Sequence, residues 1–348
     1  MITSLKLKNF RNFENKELFF DDKKNFIVGE NGKGKTNILE SISLISLNSL
    51  VKIGFENLVK KGENIFYIEA ILSDNTKIAI SYDLEKNKKT YFINRKKTTK
   101  LKLAKYTIKS VVFSPLIMNM LYLSPSLRRD FLDDVLSSSF ENYEKHLKNY
   151  KLILTNRNKL LKNIKEAKSD KSEIKFWDSK FIEACKIIYN YRFGLIDYIK
   201  ENISESKEYF LGKSEKVEFV YKSKVSKENL ETDIKSYLEK NLDRDIILGT
   251  TAIGPHIDDF DILIDSIPIT EFASRGEVKS IILYLKLIEV KFIEKCSQKQ
   301  PILLIDDLLS ELDENHKNML LKKLNGYQTI ISVIKAKNTG EHNSVFLN

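Results

Sequence analysis

One segment, Gly29 to Thr36, constrains the fold of this chain more than any other. Its residues, Gly-Glu-Asn-Gly-Lys-Gly-Lys-Thr, fit the phosphate-loop pattern G-x-x-x-x-G-K-[ST]. The run Asn25-Phe26-Ile27-Val28 predicts a short strand before the loop, and an amphipathic helix is predicted from Asn37 onward. In that context the glycines let successive backbone N–H groups face phosphate oxygens. The loop predicts a nucleotide site and leaves open what the nucleotide is used for.

The roles within the loop follow from the chemistry of its side chains. Lys35 is predicted to reach the terminal phosphates, and the Thr36 hydroxyl to bind Mg²⁺. The predicted nucleotide contacts are Gly29, Glu30, Asn31, Gly32, Lys33, Gly34, Lys35 and Thr36.

A second motif, Ile302-Leu303-Leu304-Ile305 followed by Asp306 and Asp307, is similar to a Walker B strand. The four apolar residues predict a strand buried on both faces, with the carboxylates at the end where open α/β sheets bind ligands. Asp306 is predicted to hold Mg²⁺, directly or through water, and Asp307 to orient or deprotonate the attacking water. A buried strand that ends in an acidic turn is the alternative, which the Gly29 loop disfavours.

The spacing of these motifs separates classes of nucleotide-binding protein. Lys35 and Asp306 lie 271 residues apart, far more than in compact P-loop switches. Before Asp306, Ser274-Arg275-Gly276-Glu277 precedes a strongly apolar helix, so it forms either a second anion site or an ordinary N-cap. After it, the turn Ser310-Glu311-Leu312-Asp313 opens another predicted helix. This order of motifs is typical of ABC-type ATPase heads.

Composition sets broader limits. The chain has 348 residues, enough for two or three lobes, and its net charge of +10 favours an anionic partner or reflects a Lys-rich genome. Cys185 and Cys296 lie in helical apolar patterns and are predicted to be buried free thiols. No run approaches the roughly 18 apolar residues of a membrane span, and the N-terminus lacks an apolar signal core. We therefore expect a cytoplasmic protein with no membrane partner.

The pattern of hydrophobic residues predicts an α/β fold with an insertion. Residues 1 to 120 indicate mainly strands and turns, including a polar turn between Phe10 and Phe19. Helical periodicity over 141–165 and 172–199, joined by a polar stretch, predicts an antiparallel helical hairpin. A further helix is predicted over 227–241 and a last strand over 329–333. The predicted segments are 1–125 and 246–348, which form an ATPase lobe with a mixed sheet and P-loop helix, and 126–245, a helical lobe II.

Six motifs extend over nearly the whole chain. They are Leu7-Lys-Asn-Phe-Arg11-Asn12-Phe13, the Gly29 loop with its helix, Ser124-Pro-Ser-Leu-Arg-Arg-Asp-Phe-Leu-Asp133, Gly254-Pro-His-Ile-Asp-Asp259, Ser274-Arg275-Gly276, and Leu303-Leu-Ile-Asp-Asp-Leu-Leu-Ser-Glu-Leu-Asp313. In this order they resemble the RecF family, bacterial recombination mediators in the SMC-like branch of the ABC ATPases. The last is the most specific, because the paired aspartates with Ser-Glu-Leu-Asp distinguish this family from other ABC heads.

The resemblance implies a weak ATPase that forms a homodimer on binding ATP and binds DNA at gaps and junctions. It also implies cooperation with RecR and RecO to load RecA during repair, replication restart and SOS induction. Two nucleotides would lie between opposed protomers, with Ser274, Arg275 and Gly276 of one protomer capping the Gly29 loop of the other. Arg11 and Asn12 would add to the nucleotide contacts.

Some positions depart from the family pattern. Glu277 stands where Gln is usual, Leu116 where an acidic residue is common, and Ile257 where Arg is usual. Asp307 is one methylene shorter than Glu, which predicts slow hydrolysis that acts as a timer.

Two basic regions are candidates for DNA contact. Lys159, Lys162, Lys165, Lys168 and Lys171 recur every three residues and would form a winding stripe on a helix, or merely a solvated face. Arg95-Lys96-Lys97 with Lys100, Lys102 and Lys105 is the other candidate. Tyr122, Arg128 and Arg129 are expected to pack the hinge between lobes instead. No base-reading motif is present, which predicts affinity through phosphates and DNA shape.

Three other functions compete with this interpretation. A chromosome-organising head would need heptads sustained over hundreds of residues, and an ATPase–nuclease would need an appended acidic metal cluster. A transporter ATPase is disfavoured because the strand at 329–333 is not followed by the histidine of transporter heads.

Overall fold

The computed structural model describes residues 1–47, 54–206, 216–334 and 343–347. The chain divides into two compact units, one formed by residues 1–119 with 279–348 and the other by residues 120–278. The predicted segment boundaries near residues 125 and 245 stay a prediction.

The first part of unit 1 is rich in strands. In chain order it contains β1 (Ile2–Phe10), β2 (Phe13–Phe19), β3 (Lys24–Val28), α1 (Lys35–Ile45), β4 (Ile65–Leu72), β5 (Lys77–Asp83), β6 (Lys88–Ile93), β7 (Lys96–Thr98), α2 (Lys100–Tyr106), β8 (Ser110–Phe113) and α3 (Pro115–Met118).

Helices dominate the central part of the chain, and strands return at its end. The central elements are α4 (Pro125–Ser139), α5 (Tyr143–Lys165), α6 (Ile174–Ile203), β9 (Val217–Lys222), α7 (Leu230–Lys240), α8 (Leu242–Leu248), β10 (Asp259–Ile264), β11 (Ile267–Pro268), α9 (Ile269–Phe272) and α10 (Arg275–Ser297). The last elements are β12 (Ile302–Ile305), α11 (Glu314–Lys323), β13 (Thr329–Val333) and β14 (Asn343–Phe346).

Unit 1 contains an antiparallel sheet of order β2-β1-β4-β5-β6-β7. Its strands form because apolar and polar residues alternate: in β1, Leu5 and Leu7 are buried whereas Lys6 and Lys8 are exposed. The buried face packs into the main hydrophobic core of this unit.

A second sheet in unit 1 has the order β14-β3-β13-β12-β8, and its strands are parallel. All four residues of β12 are buried, so the predicted strand with two covered faces is confirmed. Helix α1 buries Ile38, Ile42 and Ile45. Parallel strands place their carboxyl ends at one edge. The Gly29 loop follows β3, Asp306 follows β12, and Val333 is the last residue of β13.

A buried glutamine ties the start of β1 to the residues around β13. The Ile2 backbone N–H donates to Gln328 Oε1 at 2.8 Å, and Gln328 Nε2 donates to the carbonyls of Ile2 and Asp21 at 2.6 and 2.8 Å. One buried amide therefore forms hydrogen bonds with three backbone groups, two of them on Ile2.

Unit 2 is organised around the helical hairpin of α5 and α6, which the sequence predicted. Its core contains two arginines that are almost completely buried, Arg157 and Arg192. Arg157 donates to Asp178 at 2.8 Å and to Asp245 at 3.1 Å, and Arg192 donates to Asp133 at 2.9 Å. Buried charges are tolerated when they are paired in this way.

Two of the family-like motifs meet within unit 2. Arg128 donates to both carboxylate oxygens of Asp259, at 2.6 and 2.8 Å, and Arg129 donates to the Asp258 carbonyl at 3.1 Å. His256 bonds to the Tyr150 hydroxyl at 2.5 Å, and burial lowers the pKa of this histidine to about 4. The motifs around Arg128 and His256 therefore support the packing of this unit, with a histidine that is neutral at physiological pH.

The lysine stripe predicted along a single helix is wrong. Helix α5 ends at Lys165, and the chain turns at Ala167 with φ of +55°. Lys165 Nζ donates to the Ile247 carbonyl at 2.8 Å, and Lys171 pairs with Asp243 at 2.7 Å. A repeat of three along the sequence does not become one stripe, because its last members lie beyond the helix.

Three smaller predictions also need correction. The polar stretch before Phe19 is the strand β2, so the turn is confined to Arg11 and Asn12. The helix expected over 227–241 is α7, and the short α8 follows it directly. Cys185 is buried as predicted, but Cys296 is only partly buried, and both thiols are free.

Within the described ranges, none of the helices combines the length and the apolar character needed to cross a bilayer.

Candidate nucleotide-binding site

The Gly29 loop connects β3 to α1 through backbone conformations that require glycine. Gly34 caps the helix with φ of +100°, and Gly32 has φ of +81°. A Cβ atom at Gly34 would lie 2.7 Å from the Asn12 side chain and 2.7 Å from the Phe13 ring. Both the left-handed conformation and the close approach therefore exclude a larger residue at this position.

The lysine of the motif is folded over its own loop. Lys35 is buried, and its Nζ donates to the carbonyls of Gly29 and Glu30 at 2.9 and 3.1 Å. The ammonium thus lies against the loop, where it can exchange these carbonyls for phosphate oxygens.

The two halves of the predicted site meet at one hydrogen bond. Thr36 Oγ1 donates to Asp306 Oδ1 at 3.0 Å, although 270 residues separate them in sequence. The motifs at the ends of β3 and β12 therefore lie side by side.

A serine that the sequence analysis missed organises the two carboxylates. Ser332 Oγ, at the end of β13, lies 3.0 Å from Asp306 Oδ1 and 3.2 Å from Asp307 Oδ1, and it accepts from the Asp307 backbone N–H at 2.8 Å. Asp307 itself has φ of +46°, a left-handed conformation that is uncommon outside glycine. Ser332 thus stabilises the left-handed turn at Asp307 and orients the carboxylates of Asp306 and Asp307.

Burial raises the pKa of Asp306, and the hydrogen bonds from Ser332 and Thr36 oppose that increase. The neighbouring carboxylates of Asp307 and Glu40 add to the increase. A cation beside Asp306 would favour its ionised form.

The residues present fit a magnesium ion that takes some of its oxygen ligands from a bound nucleotide. A hydroxyl and a carboxylate oxygen are suitable Mg²⁺ ligands, and those of Thr36 and Asp306 converge. Among the described residues, no group of three or more His, Cys, Asp or Glu side chains could hold a metal by itself. Mg²⁺ usually completes its shell with water and substrate phosphates, which agrees with so few protein ligands.

Arg11 and Asn12 lie beside the loop and support it. Arg11 forms a two-point ion pair with Glu40 of α1, at 3.0 and 3.1 Å. Asn12 donates to the Lys33 carbonyl at 3.2 Å and accepts from Asn37 at 2.8 Å. Their direct contact with nucleotide stays a prediction, because in this structure both side chains form hydrogen bonds with other protein groups.

The segment Ser274-Arg275-Gly276 lies at the start of α10 and belongs, by position, to unit 2. Ser274 Oγ accepts from the Glu277 backbone N–H at 3.3 Å, and Glu277 Oε2 accepts from the Ser274 N–H and hydroxyl, each at 2.8 Å. This is a capping box, so the N-cap alternative is present and Glu277 has a structural reason for its place. The anion-binding role of the segment stays a prediction.

Another feature missed from the sequence lies beside Gly29. The Leu347 N–H, just after β14, donates to the Val28 carbonyl at 2.8 Å. A Cβ atom at Gly29 would lie 3.1 Å from Leu347 Cβ. The strand β14 thus borders the first residue of the loop.

Comparison with known proteins identifies the family. Residues 1–346 match the RecF/RecN/SMC N terminal domain family. The DNA replication and repair protein RecF of Thermoanaerobacter sp. (strain X514) is 36% identical over 341 residues, which cover 95% of this chain and 93% of that protein. The chain belongs to the RecF family. RecF of Ruminiclostridium cellulolyticum is 33% identical over 352 residues, covering 98% of this chain and 94% of its own.

Solved structures agree with this assignment. The recombination mediator protein RecF with ATP, in the RecFOR pathway, is 31% identical with a TM-score of 0.88, over 99% of this chain and 95% of its own. The form described as RecF-ATPrS reaches 0.90 at 30% identity, over 100% and 96% of the two chains. An Smc head bound to a winged-helix domain of ScpA, 15% identical with a TM-score of 0.53 over 96% and 90%, shares the fold alone. The predicted ABC-type α/β head is confirmed.

Proposed function

We propose that this chain is an ATP-switched, DNA-binding ATPase that acts as a recombination mediator in DNA repair. The observation that carries the proposal is the bond between Thr36 and Asp306, 3.0 Å long, which joins the phosphate loop to the carboxylate strand. Similarity to RecF structures described with ATP supports ATP as the nucleotide.

In this proposal the residues of the site have separate roles. Lys35 binds the terminal phosphates, and the backbone N–H groups of residues 29–36 surround them. Thr36 and Asp306 hold Mg²⁺, which neutralises phosphate charge when bound. Asp307 orients the attacking water, and its short, Ser332-bound side chain makes hydrolysis slow.

The switch is a homodimer. Ser274, Arg275 and Gly276 of a second protomer close over the nucleotide, with backbone N–H groups at the start of α10 facing the γ-phosphate. ATP then joins two protomers, and loss of the γ-phosphate releases them. A ligand shifts such an equilibrium only through its different affinity for the two states, which here is the second set of contacts.

The outer edge of the antiparallel sheet is the favoured surface for DNA. Residues 86–105 contain nine Lys or Arg and no Asp or Glu. The strands β6 and β7 pair with Phe92 opposite Lys97 and Ile93 opposite Lys96. We call Arg95, Lys96, Lys97, Lys102 and Lys105, all exposed, the basic edge. Without base-reading groups, the basic edge would bind phosphates at gapped or double-stranded DNA with little sequence preference.

The wider role follows from the family. We propose that the ATP-bound dimer marks gaps or junctions, cooperates with RecR and RecO, and promotes loading of RecA for repair, replication restart and SOS induction. The curated relatives are named for DNA replication and repair, which supports this assignment.

The decisive experiment is sedimentation velocity on gapped DNA with ATP, ADP or no nucleotide. Wild type should form dimers only with ATP. Lys35→Ala should abolish dimerisation, because the phosphate-binding ammonium is lost, while Lys61→Ala, an exposed lysine of the same unit, should behave as wild type. Sedimentation of wild type that is unchanged by ATP would contradict the switch.

The binding of DNA needs its own measurement. Removing one lysine that touches a phosphate should flatten the slope of log K against log salt by roughly 0.9. Replacing Lys96 and Lys97 with glutamine should therefore reduce the slope by about 2, whereas Lys159→Gln and Lys162→Gln on α5 should leave it unchanged. The reverse result would move the DNA surface to α5.

A further inference from the structure

A histidine of unit 1 connects α10 to the turn that follows Asp306 and Asp307, through contacts that all lie within unit 1. His316 Nε2 lies 2.7 Å from Ser280 Oγ on α10, and His316 Nδ1 lies 2.6 Å from Asp313 Oδ2. In the neutral ring, Nδ1–H donates to the carboxylate and Nε2 accepts from the serine hydroxyl. A parallel contact joins Lys279 to Glu311 at 2.9 Å.

The environment of this bridge excludes a hydrolytic role. The order Ser–His–Asp matches that of a catalytic triad, but Ser280 is only 1% exposed, so a substrate could not reach its hydroxyl. The same burial keeps water from competing for the bond between Ser280 and His316. The hydrogen bonds of His316 are therefore suited to pass a displacement of Asp313 on to Ser280.

Each end of the bridge belongs to an element with a proposed role in the switch. Asp313 caps α11 through the His316 N–H at 2.9 Å, and it closes the turn that begins at Asp307. Ser280 lies on α10, five residues beyond Arg275. At about 1.5 Å per residue, this is roughly 8 Å along a continuous helix from the segment that would cap a second nucleotide.

We propose that His316 is a positioning residue that couples the Asp306–Asp307 turn to α10. The inference rests on the proposed function, since it links the nucleotide end of one protomer to the surface offered to the next. When a bound nucleotide displaces the carboxylate turn, Asp313 moves with it, and the His316–Ser280 bond passes the displacement to α10. The helix, being rigid, carries it to Ser274 and Gly276.

The test measures transmission separately from binding. Amide hydrogen exchange of residues 279–286 is followed with and without a slowly hydrolysed ATP analogue, beside the affinity of the analogue. In wild type the analogue should change exchange in this segment. In His316→Ala, and equally in Ser280→Ala, the change should fall by at least half while affinity stays within about twofold, since neither residue belongs to the phosphate loop at 29–36.

Two further variants sharpen the result. His316→Ala keeps the backbone N–H that Asp313 caps, so α11 retains its start, and the double variant with Ser280→Ala should match the single ones because one bridge is removed in each case. Lys317→Gln, which breaks a pair with Glu314 on the same helix, is the matched control and should transmit as wild type.

The outcomes separate this inference from the proposed function. Unaltered transmission in His316→Ala and Ser280→Ala, or no effect of the analogue on residues 279–286 of wild type, would overturn the coupling role. If wild type transmits through His316 but sedimentation finds no ATP-dependent dimer, the bridge stands and the dimer switch fails.

Discussion

Replacing Ser332 with alanine removes a hydroxyl that bonds to the Asp307 N–H and to the carboxylates of Asp306 and Asp307. Its oxygen accepts from the Asp307 backbone at 2.8 Å, and its proton is directed at Asp306 Oδ1, 3.0 Å away, or Asp307 Oδ1, 3.2 Å away. The change leaves a part-buried N–H without this acceptor and takes a donor from the carboxylates. The left-handed turn at Asp307 loses one of its side-chain hydrogen bonds and keeps that from Ser310 Oγ to the Asp307 carbonyl.

The size of the effect follows from these contacts. A hydrogen bond to a charged group contributes about 1.5–3 kcal/mol, and about 1.4 kcal/mol corresponds to a tenfold change in rate. We therefore expect kcat for ATP hydrolysis to fall by roughly 10- to 150-fold in Ser332→Ala, with a smaller change in KM.

The pH dependence has a defined sign. Burial already raises the pKa of Asp306, and the Ser332 bond lowers it, so Ser332→Ala raises that pKa further. In the proposed site Asp306 must be ionised to hold Mg²⁺, so we expect activity to be lost as pH falls through its pKa. The acidic limb of the rate profile should therefore move to higher pH in the variant.

The assay is steady-state hydrolysis over a series of Mg²⁺ concentrations, from mildly acidic to neutral pH. Ser110→Ala is the matched control, because Ser110 is equally buried in the same sheet but bonds to Ser46 at 2.5 Å. A Ser332→Ala protein with kcat and acidic limb like those of Ser110→Ala would refute the reasoning.

Three other substitutions test separate parts of the structure. Gly34→Ala should weaken ATP binding by tenfold or more in calorimetry, because φ of +100° costs about 1–2 kcal/mol for alanine and Asn12 blocks the methyl group; unchanged affinity would contradict the loop geometry. Glu277→Gln keeps an oxygen for the capping box and removes a negative charge whose repulsion of phosphate costs about 1 kcal/mol. The ATP-driven dimer should therefore tighten about fivefold in sedimentation. A weaker dimer would count against the proposed interface. Arg192→Leu leaves Asp133 without its buried partner, which should destabilise unit 2 by about 3–5 kcal/mol in urea unfolding; a loss below 1 kcal/mol, on the scale of an exposed pair, would show that the pair is dispensable.

The elements that the sequence predicted best are those with strong local chemistry. The strand, loop and helix around Gly29 and the strand before Asp306 each combine an apolar run with a motif that seldom serves another purpose than binding a nucleotide. The long helices α5 and α6 are predictable because their apolar residues repeat over many turns. In these places local preference and the final fold agree.

The rest depended on contacts between distant residues. Ser332 is one serine in an apolar strand, and only the pairing of β13 with β12 places it beside Asp306. His316 bonds to Ser280, which lies 36 positions earlier in the sequence, and a local pattern cannot reveal such a contact. The residues of β2 indicate a turn because most of them are polar. In the structure β2 is an edge strand, and most of its side chains are partly or fully exposed, which explains why they are polar. The lysine repeat is misleading because its spacing of three residues continues past Lys165, where α5 ends.

The order of strands around the nucleotide site has a consequence for synthesis on the ribosome. The strand β3 precedes the phosphate loop, yet both of its neighbours, β13 and β14, are made only after unit 2. From Val28 to Val333 the ribosome adds 305 residues, which takes roughly 15–60 s at about 5–20 residues per second. During that interval the apolar segment of β3 has neither of its neighbouring strands to pair with, while unit 2 is synthesised. The nascent chain should therefore depend on holdase chaperones, and nucleotide should bind only once translation has passed β13.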